Sequence, residues 1–251
     1  MMNPQHESIK PPHIYWGGTA TLLFGMGIAC IFLIIQIIII GIFTGIEAAS
    51  QQAADVETIV DGLINNGFVL SISSVVTTFV CVPLIFLIIK LKHGVTIREY
   101  LGIRFIKLKA FFPWAAMIVL FLVCYDLFTH AIGRPIVPEF MTTAYKTAKV
   151  QPLFWTALIV MAPISEEIFF RGFLFKGFQS TFLKTTGTVL LTSILWAVIH
   201  TQYDYYDITA IFIMGVILGI ARIKSKSILT TIYLHGFMNL VATIETAIVV
   251  S

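Results

Sequence analysis

The sequence predicts an all-α polytopic membrane protein, and three observations carry that prediction. The 251 residues are 58% hydrophobic and only 12% charged, half the charged share of an ordinary soluble domain, about 25%. The apolar residues fall in runs of about twenty or more, the length a helix needs to cross a bilayer. One such run is broken by charge: Ala162–Gly172 places Glu166, Glu167 and Arg171 among isoleucines and phenylalanines. Each ionisable group at that depth costs at least about 2.5 kcal/mol to insert.

Taken in order, residues 1–13 are polar and hold Pro4, Pro11 and Pro12, so a flexible tail is expected there. Residues 14–251 read as one transmembrane domain. Span 1 covers about Tyr15 to Ile46, too long for the hydrophobic core of a signal peptide, so it reads as an uncleaved span that tilts or projects from the bilayer. An acidic loop from Glu47 to Asn66 follows, then span 2 from about Phe68 to Ile89. Lys90 to Lys109 carries six basic residues, and the segment Arg98–Arg104 suits a short interfacial helix. Span 3 runs from about Phe111 to Ile132 and carries Asp126 and His130, four apart, which reads as a local hydrogen-bonded pair. After a loop with Pro135 and Pro138, span 4 covers about Pro152 to Phe178, and Pro163 is expected to kink it. Span 5 runs from Gly187 to about Tyr203, span 6 from Ile208 to Ile223, and span 7 from Ile228 to Val250. The count is seven, or eight if span 1 or span 4 is broken in two.

Charge sets the orientation. With the N-terminus inside, cytoplasmic segments hold twelve Lys and Arg and external segments three, with Arg171 left inside span 4. This places the N-terminus in the cytoplasm and the C-terminus outside, in the cell membrane. Cys30, Cys81 and Cys124 lie in apolar runs without metal-type spacing and form no disulfide framework. No basic-aromatic patch suggests a nucleic-acid partner.

The chemistry sits on three spans. Glu167 and Arg171 are four apart and pair on one helical face. Glu166 lies about 100° round the helix without an intrahelical partner. Trp196 to His200 puts an aromatic ring and a histidine late in span 5, and His235 and Asn239 share a face of span 7. At 1.5 Å per residue, Glu166 lies roughly 15 Å from the inner surface, His200 roughly 20 Å, His235 roughly 10 Å and Asn239 roughly 17 Å. One site in the inner half to the middle of the bilayer accommodates all four. Such a set supports hydrolysis: a carboxylate as general base on water, a histidine beside it, and donors for an oxyanion. Neither a serine nucleophile motif nor His-Glu-x-x-His occurs, which favours a water nucleophile without a cofactor. Glu166, His200 and His235 are also a zinc-ligand set, so a metal version stays open.

Glu166-Glu167-x-x-x-Arg171, Trp196-x-x-x-His200 and His235-x-x-x-Asn239, in this order over about 152–245, resemble the CPBP family of intramembrane proteases. That family includes type II CAAX prenyl endopeptidases and Abi-like members linked to bacteriocin processing or immunity. The resemblance implies an intramembrane endopeptidase whose active site lies within the membrane. Glu166 is then the water-activating base, His200 its partner on the water, and His235 and Asn239 the oxyanion-side groups. Glu167, Arg171 and Trp196 take supporting roles, Trp196 standing where the family usually has Phe. The implied partners are membrane lipids and a peptide or protein substrate, lipid-modified in the prenyl-protein members. Two rivals come from other classes. One is a non-catalytic immunity or scaffold protein with the same fold, the other a transporter that relays protons through its carboxylates.

Overall fold

The computed structural model describes residues 15–50, 55–106 and 108–251. The expected flexible tail at 1–13 lies outside them. Among the described residues every regular element is helical: α1 Gly18–Ser50, α2 Val56–Ile64, α3 Gly67–Lys90, α4 Ile97–Leu101, α5 Leu108–Ala131 and α6 Glu139–Thr147. They are followed by the long α7 Gln151–Gln179 and by α8 Lys184–Val198, α9 Tyr205–Ser225 and α10 Ile228–Val250. Six of these, α1, α3, α5, α7, α9 and α10, are long and apolar enough to cross a membrane. The chain is an integral membrane protein. Its outward face is apolar, as contact with lipid requires: Leu23, Ile37, Phe79, Leu127 and Ile248 are each more than 60% exposed.

Two polar layers close the bundle. At one end Trp16 donates to the Ile88 carbonyl (3.1 Å), and Arg222 donates to that of Leu101 (2.9 Å). There too the Ile228 N–H meets the Gly102 carbonyl (3.1 Å), and Lys176 lies over the Tyr15 ring. At the other end Asn66 caps α3, the Gly67 N–H bonds to Thr147 (2.8 Å), and Arg134 pairs with Asp204. α8 is not among the six: its 15 residues cover only about 22 Å at 1.5 Å per residue, too short to cross a bilayer core of about 30 Å alone.

Other boundaries depart from expectation where short amphipathic helices hide in loops. The acidic loop contains α2, whose Ile59 and Leu63 pack against α1 and α3, and the loop after α5 contains α6. The interfacial helix is α4, closed by a Thr96–Glu99 capping box and by Gly102 in the left-handed region, φ +65°. Asp126 and His130 are not hydrogen-bonded to each other among the described residues; the neighbouring Tyr125 bonds to Asp207 instead.

Pro163 lies in the middle of α7. The helix widens on either side of it, into π-helical turns at Ala157–Met161 and Ile168–Leu174. Pro163 has no N–H to give the preceding turn, so carbonyls there need other donors. Asn239 of α10 donates to Leu158 (2.8 Å), and Ser74 and Thr78 of α3 donate to Ala157 (3.2 Å) and Met161 (3.0 Å). In the second wide turn Phe175 bonds back to Phe170 and Gly172, and the skipped Arg171 carbonyl takes a hydrogen bond from Arg222 Nε (3.1 Å).

Candidate active site

Between the two wide turns, a single regular turn carries Glu166 and Glu167 to the centre of the bundle. Glu167 is fully buried, and its Oε1 takes Arg171 Nη1 at 2.9 Å, the pairing that the i,i+4 spacing predicts. The same oxygen also takes His235 Nδ1 at 3.0 Å, which the sequence did not suggest. A carboxylate accepts, so Nδ1 carries a proton, and in the neutral imidazole Nε2 is then the acceptor. Nε2 faces Glu166 Oε2 across 4.0 Å. That separation is too wide for a direct hydrogen bond and suits two acceptors sharing one small donor.

Glu166 is about a quarter exposed (23%), while Glu167, Arg171 and His235 are almost completely enclosed. Its Oε2 accepts from Trp196 Nε1 at 2.5 Å. The Trp196 ring packs edge-on against both histidines, with centroids 5.1 Å from His235 and 5.3 Å from His200, and Arg171 lies 4.4 Å above it. Arg171 is therefore held by a carboxylate, by the Gly215 carbonyl (3.4 Å) and by an aromatic face.

His200 lies just past the end of α8. Its Nδ1 donates to the Trp196 carbonyl (2.6 Å), so in the neutral ring Nε2 is the acceptor. The Trp196 ring touches both histidines and Glu166, which brings the three groups to one place. Asn239 stands one turn beyond His235, with its Nδ2 already donating to Leu158. Gly236 is the contact point between α10 and α7: a Cβ there would lie 2.7 Å from the Ile159 carbonyl. All seven side chains singled out in the sequence thus lie in or beside one site.

Sequence reasoning missed Tyr203 and Arg222. Tyr203 rests 6.3 Å from the His200 ring and edge-on to Phe140 at 5.3 Å. Its place, three residues after His200 in a turn, carries no motif. Arg222 counted only as a cytoplasmic charge, yet it is 4% exposed and completes the wide turn below Glu167. A donor set for zinc was weighed at Glu166, His200 and His235. Among the described residues no three His, Cys, Asp or Glu side chains form a group able to hold a metal ion.

Three comparisons bear on this site. The chain matches the family model described as Rce1-like, type II CAAX prenyl endopeptidase, over residues 148–241. An uncharacterised 24.3 kDa protein of Escherichia coli is 32% identical over 129 residues, which is 49% of this chain; the chain spans 58% of that protein's length. No solved structure matches. The matched family segment runs from the end of α6 into α10 and contains every residue of the site, and over it the chain is similar to the Rce1-like type II CAAX prenyl endopeptidases.

Proposed function

We propose that this protein is an intramembrane endopeptidase that hydrolyses peptide bonds with a water activated by Glu166. The observation that carries the proposal is the 4.0 Å gap between Glu166 Oε2 and the Nε2 of a neutral His235, both acceptors. A water in that gap gives a hydrogen to each. As its oxygen attacks a peptide carbonyl, Glu166 takes the proton and passes it to the leaving amine, which departs as the C–N bond breaks.

In this reading the histidine nearest the base is His235, held by Glu167 with its acceptor nitrogen toward the water. His200 faces the same pocket from α8. Asn239 has one amide hydrogen on Leu158 and one left for an oxyanion. The resemblance gives the water to His200 and the oxyanion to His235; the Glu167–His235 bond supports moving His235 to the water side. Glu167 and Arg171 brace this arrangement. The substrate class is a membrane-associated peptide or protein, with lipid modification as the family description suggests.

Membranes from cells carrying the wild-type chain and Glu166→Gln, compared by proteomics, test the reading. Uncleaved peptides accumulating only with the variant support it and name the substrate. Identical peptide sets contradict it and favour a non-catalytic scaffold. Purified protein separates the two chemistries. Cleavage that survives a strong chelator supports the glutamate mechanism. Stoichiometric zinc, with activity lost on chelation and restored by metal, makes Glu166, His200 and His235 ligands.

A further inference from the structure

We propose that Trp196 is a positioning residue for Glu166, its indole N–H fixing where the carboxylate points. The inference rests on the reading of Glu166 as the base, and it concerns what aims that base.

Trp196 Nε1 lies 2.5 Å from Glu166 Oε2, and the side chain is 1% exposed. Its ring has no room to swing. Arg171 covers one face at 4.4 Å, both histidines abut it, and a Cβ at Gly215 would lie 3.1 Å from its Cε3. Glu166 sits in a regular turn with several rotamers open to it, and nothing on its own helix restrains it. The indole supplies that restraint. It turns Oε2 toward the gap that faces His235 Nε2, where the water is to be deprotonated.

Indole suits this task because its N–H only donates and does not ionise at neutral pH. It orients the carboxylate without competing as a base. The same residue also places His200, whose Nδ1 bonds to the Trp196 carbonyl. One side chain and its own backbone thus register the base on α7 against a histidine beyond α8. A phenylalanine fills most of the same volume, keeps the edge contacts and the backbone carbonyl, and loses only the donor.

The test is spectroscopic and needs no turnover. The full chain, ¹⁵N-labelled at the indoles and held in lipid nanodiscs, has four indole N–H groups: Trp16, Trp114, Trp155 and Trp196. Trp196→Phe assigns one resonance; if that variant does not fold, the corresponding changes at the other three assign it by exclusion. The Trp196 proton is expected downfield. It moves upfield in Glu166→Gln and further in Glu166→Ala, while the other three stay in place. On a peptide found by the proteomic comparison, Trp196→Phe is expected to lower kcat by at least about tenfold with KM little changed, the loss of one hydrogen bond to a charged group.

A Trp196 resonance that is the same in Glu166→Ala as in the wild type overturns the inference, as does a Trp196→Phe variant with unaltered kcat. Cleavage by Glu166→Gln at the wild-type rate is a different failure: it removes Glu166 as the base, whatever the indole resonance does.

Discussion

Arg171 shows how costly this site is to assemble and how it is held. A guanidinium with no exposed surface is tolerated because its partners surround it: Glu167, the Gly215 carbonyl and the Trp196 face. Removing one member of a buried pair typically costs about 3–5 kcal/mol, because the other is left uncompensated. Arg171→Ala strands Glu167, and His235 alone does not replace the lost charge. We expect little folded protein, measured as the monodisperse fraction after solubilisation and by thermal unfolding. A melting temperature equal to the wild type's would show that the pair does not brace the site. The i,i+4 spacing made this pair legible in the sequence. The Glu167–His235 bond was not legible, because it depends on the rotation of α10 against α7, a tertiary quantity that no local pattern carries.

At the scale of the element, α7 carries the site because its hydrogen-bond ladder is interrupted and repaired from outside. Pro163 signalled the interruption, but no local pattern marked the wide turns on either side of it. That outcome depends on donors from α3 and α10. Gly236 lets α10 approach close enough for Asn239 to reach Leu158. Within a helix Gly→Ala normally stabilises by up to about 1 kcal/mol. Here the added methyl meets the Ile159 carbonyl, so Gly236→Ala is expected to destabilise and to lower activity, read by melting and by peptide cleavage. A stabilised, fully active variant would show that the helices are not in contact there.

The start of α9 provides a second test at this scale. Asp204 accepts from the Tyr206 (3.0 Å) and Asp207 (3.1 Å) N–H groups and pairs with Arg134. The Asp207 N–H first, and then the Arg134 guanidinium, hold its carboxyl below the ordinary aspartate range. A depressed folded-state value stabilises above the unfolded one and is lost as pH falls. Asp204→Ala is therefore expected to cost about 1 kcal/mol near neutral pH. The gap from the wild type should close as pH drops below about 4. A gap that stays constant down to pH 2 would mean the carboxylate is not the stabilising group.

Across the whole molecule, the sequence made the helical class and the long spans legible because composition and run length report directly on lipid. It hid α2 and α6, whose nine residues each lie in segments read as loops. It also hid the short reach of α8, which ends at Val198, short of the Tyr203 to which the sequence extends span 5. From the twelve-to-three charge bias we propose that the layer at Gly102 and Arg222 faces the cytoplasm. A reporter fused after Ile103 is expected to read cytoplasmic, and one after Val250 external; matching signals from both would mean an even number of crossings. The central claim is that this membrane-buried constellation is a peptide hydrolase whose base is Glu166. Its most direct test is the cleavage rate of purified wild type and Glu166→Gln in proteoliposomes, on a peptide that accumulates with the variant. The account predicts a fall of at least about 10²-fold, the lower range for general-base catalysis, with an unchanged melting temperature. Cleavage by Glu166→Gln at the wild-type rate would contradict it.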